Sequence, residues 1–372
     1  MSTAPAPVER QKRIVMGVEI EAYTISTPGH RITRRMAFPR RGVGEKGERF
    51  TRDASIGTEY IGRPFATLRE GLFLLKAGLR KYSQKYYERR TRTRAERQLL
   101  LVGGWRDRFA GTHLHLSVAG RELSKEDARR LAGHIHDHIP FLIAVGANSP
   151  VWANEITDVA SNRVLRASRI YFQPIDRRTL TQREDDELVY SPGRKRKPPT
   201  LELRVLDSNV PEYVLAAAAV VKAAALDWLR GKGASNRLTR ADYLRSREEA
   251  ALRGMGARLC WRGEWIPATR YLDRFVWEHR DALEAADLPE GLWTTLRLLK
   301  RRFNGAEILR QAAAHAYAEH AQTWQQRFAR RYVAALDELL SGRTLREFAE
   351  RLEVELPELE DVWLGRRHLV WP

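Results

Sequence analysis

The 372-residue sequence holds a single cysteine, Cys260. One thiol closes no intramolecular disulfide and builds no cysteine-based zinc cluster, and it fits a reducing cytosol. No GxxxxGK[ST] loop is present, which excludes a P-loop nucleotide site, and no internal repeat is seen. The longest apolar run, VLAAAAVVKAAALDWL, is alanine-rich and interrupted by Lys222, too short and small-sided for a membrane span. The opening MSTAPAPVERQKR lacks the apolar stretch of a secretory leader, so a cytoplasmic protein with no membrane partner is expected. Negative charge is also in short supply. Asp and Glu number 47 against 65 Lys and Arg, a formal net charge of +18. That excess suits a solvated arginine-rich surface, a phosphate-rich ligand such as ATP, or nucleic acid. Its densest runs are RRTRTRAER (89–97) and RKRK (194–197).

Apolar residues make up 43% of the chain, enough for one large domain or two ordinary ones. RIVMGVEIEAYTIS alternates with period two and predicts a strand, with Glu19 and Glu21 on one face and Val18 and Ile20 on the other. FTRDASIGTEYIGRPF reads as strand, turn, strand. Residues 66–86 follow helical spacing behind a Thr67/Glu70 capping pair. Strands are expected over 99–105 and 111–118. Ser124 with Asp127 opens a helix over 125–146. TDVASNRVLRAS reads as a loop or short helix, REDDELVYSPGRKRKPP (183–199) as a charged surface excursion, and TLELRVLDSN as a further strand. Helices are then expected over 211–231, 239–254, 269–284, 291–301, 305–339 and 343–352. Strands crowd the first 210 residues and helices fill the rest, which argues α+β rather than alternating βαβ.

Four strand-like segments carry acid, imidazole or guanidinium at i, i+2 spacing: Glu19 and Glu21; Asp53 and Glu59 around a tight turn; His113 and His115; Glu202 and Arg204. Two carboxylates on one strand face repel unless a cation sits between them. For Glu19 and Glu21 alone, a solvated edge and a cation site both remain open. Taken together, carboxylates with an imidazole suit a hard divalent ion such as Mg²⁺ or Mn²⁺. Carboxylates joined by arginines suggest metal-bridged phosphate.

The ordered motifs GVEIEAY, DASIGTEYIGRPF, GTHLHLSV, ANSPVW…DVASNR and TLELRVLDSNVPEYVLAAAAVV resemble those of carboxylate–amine ligases of the glutamate–cysteine ligase type, within the glutamine synthetase superfamily. The resemblance covers roughly residues 14–225. It implies a curved, mostly antiparallel sheet with helices packed on its outer face and a helical C-terminal part. It divides the chain into a catalytic sheet domain, 13–230, and a helical region, 231–372, separate or packed into the same domain. The implied reaction forms an amide through an acyl phosphate at the expense of ATP, with Mg²⁺ or Mn²⁺. By position, Glu19, Glu21, Glu59, His113 and Glu202 match metal ligands, and His115 a nucleotide contact. Arg204 would face the transferred phosphoryl group, Arg163 would hold phosphate or substrate carboxylate, and Asp53 would accompany Glu59. Arg63 is either a substrate anchor or surface.

The strong positive charge points to an anionic peptide or carrier protein as carboxylate donor, besides small molecules. A phosphotransferase on the same fold and a nucleic-acid binder using the basic surface are the competing readings; a homo-oligomer is left open. The histidines of HIHDHIP (134–140), His315 and His320 read as packing or helix-surface residues, Cys260 as core, and the tryptophans as packing.

Overall fold

The computed structural model describes residues 14–27, 29–34, 48–53, 56–88, 96–167, 186–194 and 197–359. The first strand, β1 (Ile14–Thr27), alternates as expected: Ile14, Met16, Val18 and Ile20 are buried, while Glu19 and Glu21 lie on the more open face. β2 (Arg31–Thr33) folds back on its far end; β3 (Arg49–Thr51) and β4 (Thr58–Ile61) form the anticipated hairpin. Asp53 makes that turn, its Oδ2 accepting the Ile56 N–H at 2.8 Å. Helix α1 (Leu68–Glu88) starts where Thr67 accepts the Glu70 N–H, while the Glu70 carboxylate reaches back one residue further, to the Ala66 N–H.

β5 (Glu96–Leu100) begins earlier than expected; of the 89–97 run, only Glu96 and Arg97 lie in the described residues, and they enter a strand. β6 (Gly111–Val118) has the expected limits. Ser124 caps α2 (Lys125–Ile135), but the helix expected to reach residue 146 is interrupted by a 3₁₀ turn over 136–138. The chain restarts as α3 (Ile139–Gly146), with Pro140 in the first turn, where its missing N–H costs nothing. A small hairpin, β7 (Val151–Trp152) and β8 (Glu155–Ile156), precedes the short helix α4 (Asn162–Arg166). β9 (Leu188–Ser191) corrects the reading of 183–199 as a surface excursion. Its Leu188 and Val189 are buried, and the preceding Glu187 is fully buried on Arg247. Residues 181–185 lie outside the described residues.

β10 (Thr200–Asp207) completes an eight-stranded sheet of order β3-β4-β1-β6-β10-β9, with β2 and β5 paired to the far part of β1. Every pairing is antiparallel, and the outer strands β3 and β9 do not meet, so the sheet stays open. This is the expected α+β class.

The alanine-rich run becomes α5 (Pro211–Leu229), buried almost throughout; an apolar surface all round a helix places it inside. Its Lys222 is buried too, donating from Nζ to the Ile14 carbonyl at 2.6 Å and tying the helix to the start of β1. α6 (Arg240–Arg253) follows, then a hairpin that the sequence reading missed, β11 (Arg258–Trp261) and β12 (Glu264–Pro267). The expected 269–284 helix is two, α7 (Ala268–Glu278) and α8 (Arg280–Ala285), and after α9 (Glu290–Lys300) the expected 305–339 helix is also two, α10 (Gly305–Glu319) and α11 (Trp324–Leu340). α12 (Leu345–Arg351) opens on a full Thr344/Glu347 capping box.

One hydrophobic cluster joins Val18 and Leu114 of the sheet, α5, and Phe275, Leu299, Phe328 and Phe348 of the later helices. Each large side chain buried there contributes about 1.5–3 kcal/mol. Cys260 and Trp261 are buried as expected; Trp277 is half-exposed, a correction to its reading as packing, and Trp363 lies outside the described residues.

Candidate active site

Strand register assembles the site. On β1 and β6, Glu19 lies opposite His113 and Gly17 opposite His115; on β1 and β4, Glu21 lies opposite Glu59; on β10 and β6, Glu202 lies opposite His115. Directly opposed residues share a sheet face. Leu114 and Leu116, one step out of phase, are fully buried on the other. The four acidic and two imidazole side chains anticipated from the motifs therefore come together across four strands.

The contacts are close but loose. His113 Nδ1 lies 3.7 Å from Glu19 Oε2 and 3.5 Å from Glu202 Oε1, and its Nε2 lies 4.0 Å from Glu21 Oε1. His115 Nε2 lies 3.3 Å from Glu19 Oε1 yet is buried without a hydrogen bond of good geometry. Its Nδ1 is paired to the Thr200 hydroxyl at 3.2 Å, which fixes the ring and leaves Nε2 aimed at the acids. Ligand atoms of Glu19, His115 and Glu202 lie within 4.8 Å of one another, and so do those of Glu19, Glu59 and His113. Glu19 belongs to both groups. Glu21 is held from the side, its Oε2 accepting the Gly111 N–H at 2.6 Å.

Crowding of like charge shows in the protonation equilibria. Burial pushes Glu59 up, and the charges of Glu19, Glu21 and Asp53 add to it, bringing its carboxyl to about 7. Burial also opposes ionisation of Glu19, but the close approach of the His113 and His115 rings and the charges of His115 and Lys197 outweigh it and hold this carboxyl well below the usual range. For His113, burial disfavours the cation, while Glu19, Glu21 and Glu202 together raise its affinity for a proton.

The cations stand at the rim. Arg204 Nε lies 3.4 Å from Glu202 Oε1, and Lys197 Nζ 3.3 Å from Glu19 Oε1. Arg163, on α4, donates from Nη2 to the Arg204 carbonyl at 2.8 Å, and its Nη1 is buried without a hydrogen-bond partner. Its guanidinium lies over Gly111, where an added Cβ would sit 2.5 Å from Nη2, so a side chain there would push the guanidinium aside. Asp53 is bound into the turn before β4 and acts on Glu59 through charge. Arg63 is exposed.

Sequence reasoning missed the supports. Asp207, at the end of β10, accepts hydrogen bonds from the Asn148 N–H, the Ser149 hydroxyl and the Ser161 hydroxyl, while Ser149 Oγ accepts the Arg163 N–H. The signal lay in ANSP, ASNR and LDSN, whose small polar residues suit a buried network behind an arginine. Lys197 and Thr200 were visible only as a charge run and a strand start.

The histidines of 134–140 lie elsewhere. Tyr271 OH, which accepts from Asn236 Nδ2, pairs with His138 Nδ1 at 2.7 Å. Ser235 Oγ pairs with His138 Nε2 at 2.7 Å and with His279 Nε2 at 2.8 Å, and His279 Nδ1 pairs with Asp227 Oδ2 at 2.8 Å. His136 is buried against Asp137, and His315 and His320 are on the surface. These are the packing and surface roles expected.

No family model matches the chain, and no curated protein does. Solved structures do. The ligase PafA in complex with the prokaryotic ubiquitin-like protein Pup superposes with a TM-score of 0.55 at 13% identity, covering 92% of this chain and 80% of that one. PafA in complex with ADP gives 0.52 at 13% identity, covering 86% and 78%. A bifunctional glutathione synthetase from Pasteurella multocida gives 0.57 at 14% identity, covering 90% of this chain and 53% of that protein. The fold is that of carboxylate–amine ligases. Among the described residues, no helix is long and apolar enough to cross a membrane.

Proposed function

We propose that this protein is an ATP-dependent carboxylate–amine ligase. The observation that carries the reading is that two metal-ligand groups share Glu19 on a sheet whose architecture is that of ligases. The donor set, carboxylates with one imidazole per group and a buried, poorly bonded His115 Nε2, fits Mg²⁺ or Mn²⁺. Glu19, Glu59 and His113 would hold one ion, and Glu19, His115 and Glu202 another, with Glu21 backing the first group. Bound there, the ions would supply charge for the nucleotide phosphates.

Phosphoryl transfer asks the protein mainly for position and charge. A substrate carboxylate oxygen attacks the γ-phosphorus of ATP, and the bond to the ADP oxygen breaks. Arg204 faces the phosphoryl group and balances its negative charge. Arg163, with a spare buried Nη1, holds a phosphate or substrate carboxylate oxygen, and Asp53 keeps the turn that presents Glu59. The substrate amine then displaces phosphate, giving the amide and releasing a proton.

The net charge of +18 supports an anionic peptide or carrier-protein donor, alongside small carboxylates such as glutamate. PafA is solved with a protein, Pup, which supports the same substrate size class. The reading places the protein in the cytoplasm.

The test is incubation with Mg²⁺, ATP and pools of amino acids, peptides and acidic proteins, following ADP release and new masses. An amide product from wild type, abolished in Glu19→Gln, is expected. A stable phosphorylated acceptor instead would make the protein a phosphotransferase. If no pool stimulates ATP turnover and nucleotide does not bind, the reading fails.

A further inference from the structure

The basic run at 194–197 has no part in the reading above, yet its last residue reaches from the rim to Glu19, the acid common to both ligand groups. Lys197 Nζ lies 3.3 Å from Glu19 Oε1, the oxygen that also faces His115 Nε2 at 3.3 Å. The backbone behind it is fixed. Arg194 N–H donates to the Lys197 carbonyl at 2.8 Å and Lys197 N–H to the Arg194 carbonyl at 2.9 Å. Gly193 takes a φ of +82° beneath them, with the Lys197 carbonyl 2.6 Å from where a Cβ would be. Three residues on, Thr200 holds His115. The ammonium is the mobile part: the side chain is 46% exposed and its four-carbon stem turns freely.

We propose that Lys197 exchanges places with a divalent cation on Glu19 and, once displaced, binds the phosphates of the nucleotide. Glu19 is common to both ligand groups, so an ammonium and a divalent ion on its carboxylate repel each other across a few ångströms. The lysine keeps the acidic cluster neutralised before loading. Afterwards it stands at the lip of the cleft as an uncommitted cation beside Arg204, where polyphosphate charge attracts it. This inference rests on the metal reading of the site.

The experiment uses the full chain and two variants, Lys197→Gln and Lys197→Arg. Binding of Mn²⁺ alone is read from the free-ion electron paramagnetic resonance signal, and ADP binding at saturating Mg²⁺ by calorimetry. Lys197→Gln should bind Mn²⁺ about fivefold more tightly and Mg·ADP about fivefold more weakly, the scale of one screened unit charge. Lys197→Arg should stay near wild type in both. A general structural effect would shift the two affinities in the same direction. An unchanged or weaker Mn²⁺ affinity in Lys197→Gln, or an unchanged ADP affinity, overturns the inference. Failure of the wild type itself to bind Mn²⁺ removes the metal reading, and the inference with it, and is distinguished because it appears before any substitution.

Discussion

The molecule contains two buried clusters of histidine and carboxylate, made of the same chemical parts and built to opposite specifications. In the chain from Tyr271 through His138, Ser235 and His279 to Asp227, the histidine contacts fall at 2.7–2.8 Å and all four imidazole nitrogens have a partner. Between Glu19, Glu202, His113 and His115 the contacts open to 3.3–4.0 Å, and a buried nitrogen is left without a well-made bond. The imidazoles of the first cluster are finished and hold structure; in the second, carboxylates crowd two loosely held imidazoles. Asp227, His279 and Ser235 even follow the order of a nucleophilic triad. Ser235 is nevertheless buried, and its oxygen is occupied on both sides by imidazoles, which suits it to bracing the 231–239 loop against α7 and α3.

The comparison breaks most visibly if Glu19 is removed. Glu19→Gln should lower ligase turnover at least about 100-fold and weaken Mn²⁺ binding, while leaving the fold intact. The opposite pattern is expected of His279→Ala. Losing the imidazole between Ser235 and Asp227, whose carboxylate keeps Lys232 at 3.0 Å, should cost about 1–3 kcal/mol in urea unfolding, with Mn²⁺ affinity unchanged. Next comes Glu59. Its folded carboxyl titrates at about 7, above the unfolded value near 4.5, so between these pH values the folded chain keeps a proton the unfolded chain has lost. Stability therefore falls as pH rises through that window. Glu59→Gln should stabilise the protein at pH 8 by about 2 kcal/mol and do little at pH 4, read from unfolding midpoints across pH.

The finished cluster has the reverse sign. Burial, with His279, His134 and Arg262 adding to it, holds His138 well below the usual imidazole value, so the unfolded chain takes up the proton first. Stability should fall as pH drops below about 6.5, and His138→Phe should flatten that acid limb of the stability curve. The smallest effect belongs to Thr200→Val, which removes the partner of His115 Nδ1. About a tenfold loss of Mn²⁺ affinity, with unaltered unfolding, is expected by titration.

Much of the site was legible because strand period and motif order are local signals. β6 could be bounded at both ends, and period-two alternation puts Glu19 with Glu21, His113 with His115, and Glu202 with Arg204 on one face of their own strands. Register was not legible: nothing in the motifs states that Glu21 faces Glu59 rather than Ile61. Lys197 was hidden in a charge run, because the direction of a long exposed side chain is set by tertiary contact. The β11–β12 hairpin and the break near residue 320 were missed where apolar spacing fits neither period well over short lengths. Glu187 read as surface because its compensating Arg247 is distant in sequence. The finished histidine cluster was recognised as packing, but its hydrogen-bond order required Ser235, Tyr271 and Asp227, residues scattered over three separate segments.

The all-antiparallel register around β1 also governs how the protein comes into being. Glu19 is synthesised well before its neighbours His113 and Glu202, which lie on later strands, and no local hairpin can stand in for them. Contacts between such distant segments form slowly, since the intervening chain must be ordered first. The group of Glu19, Glu59 and His113 needs β1, β4 and β6 together, and Glu202 joins His115 only as β10 docks on β6. A half-folded chain therefore carries the separate side chains without the cluster they form in the completed sheet.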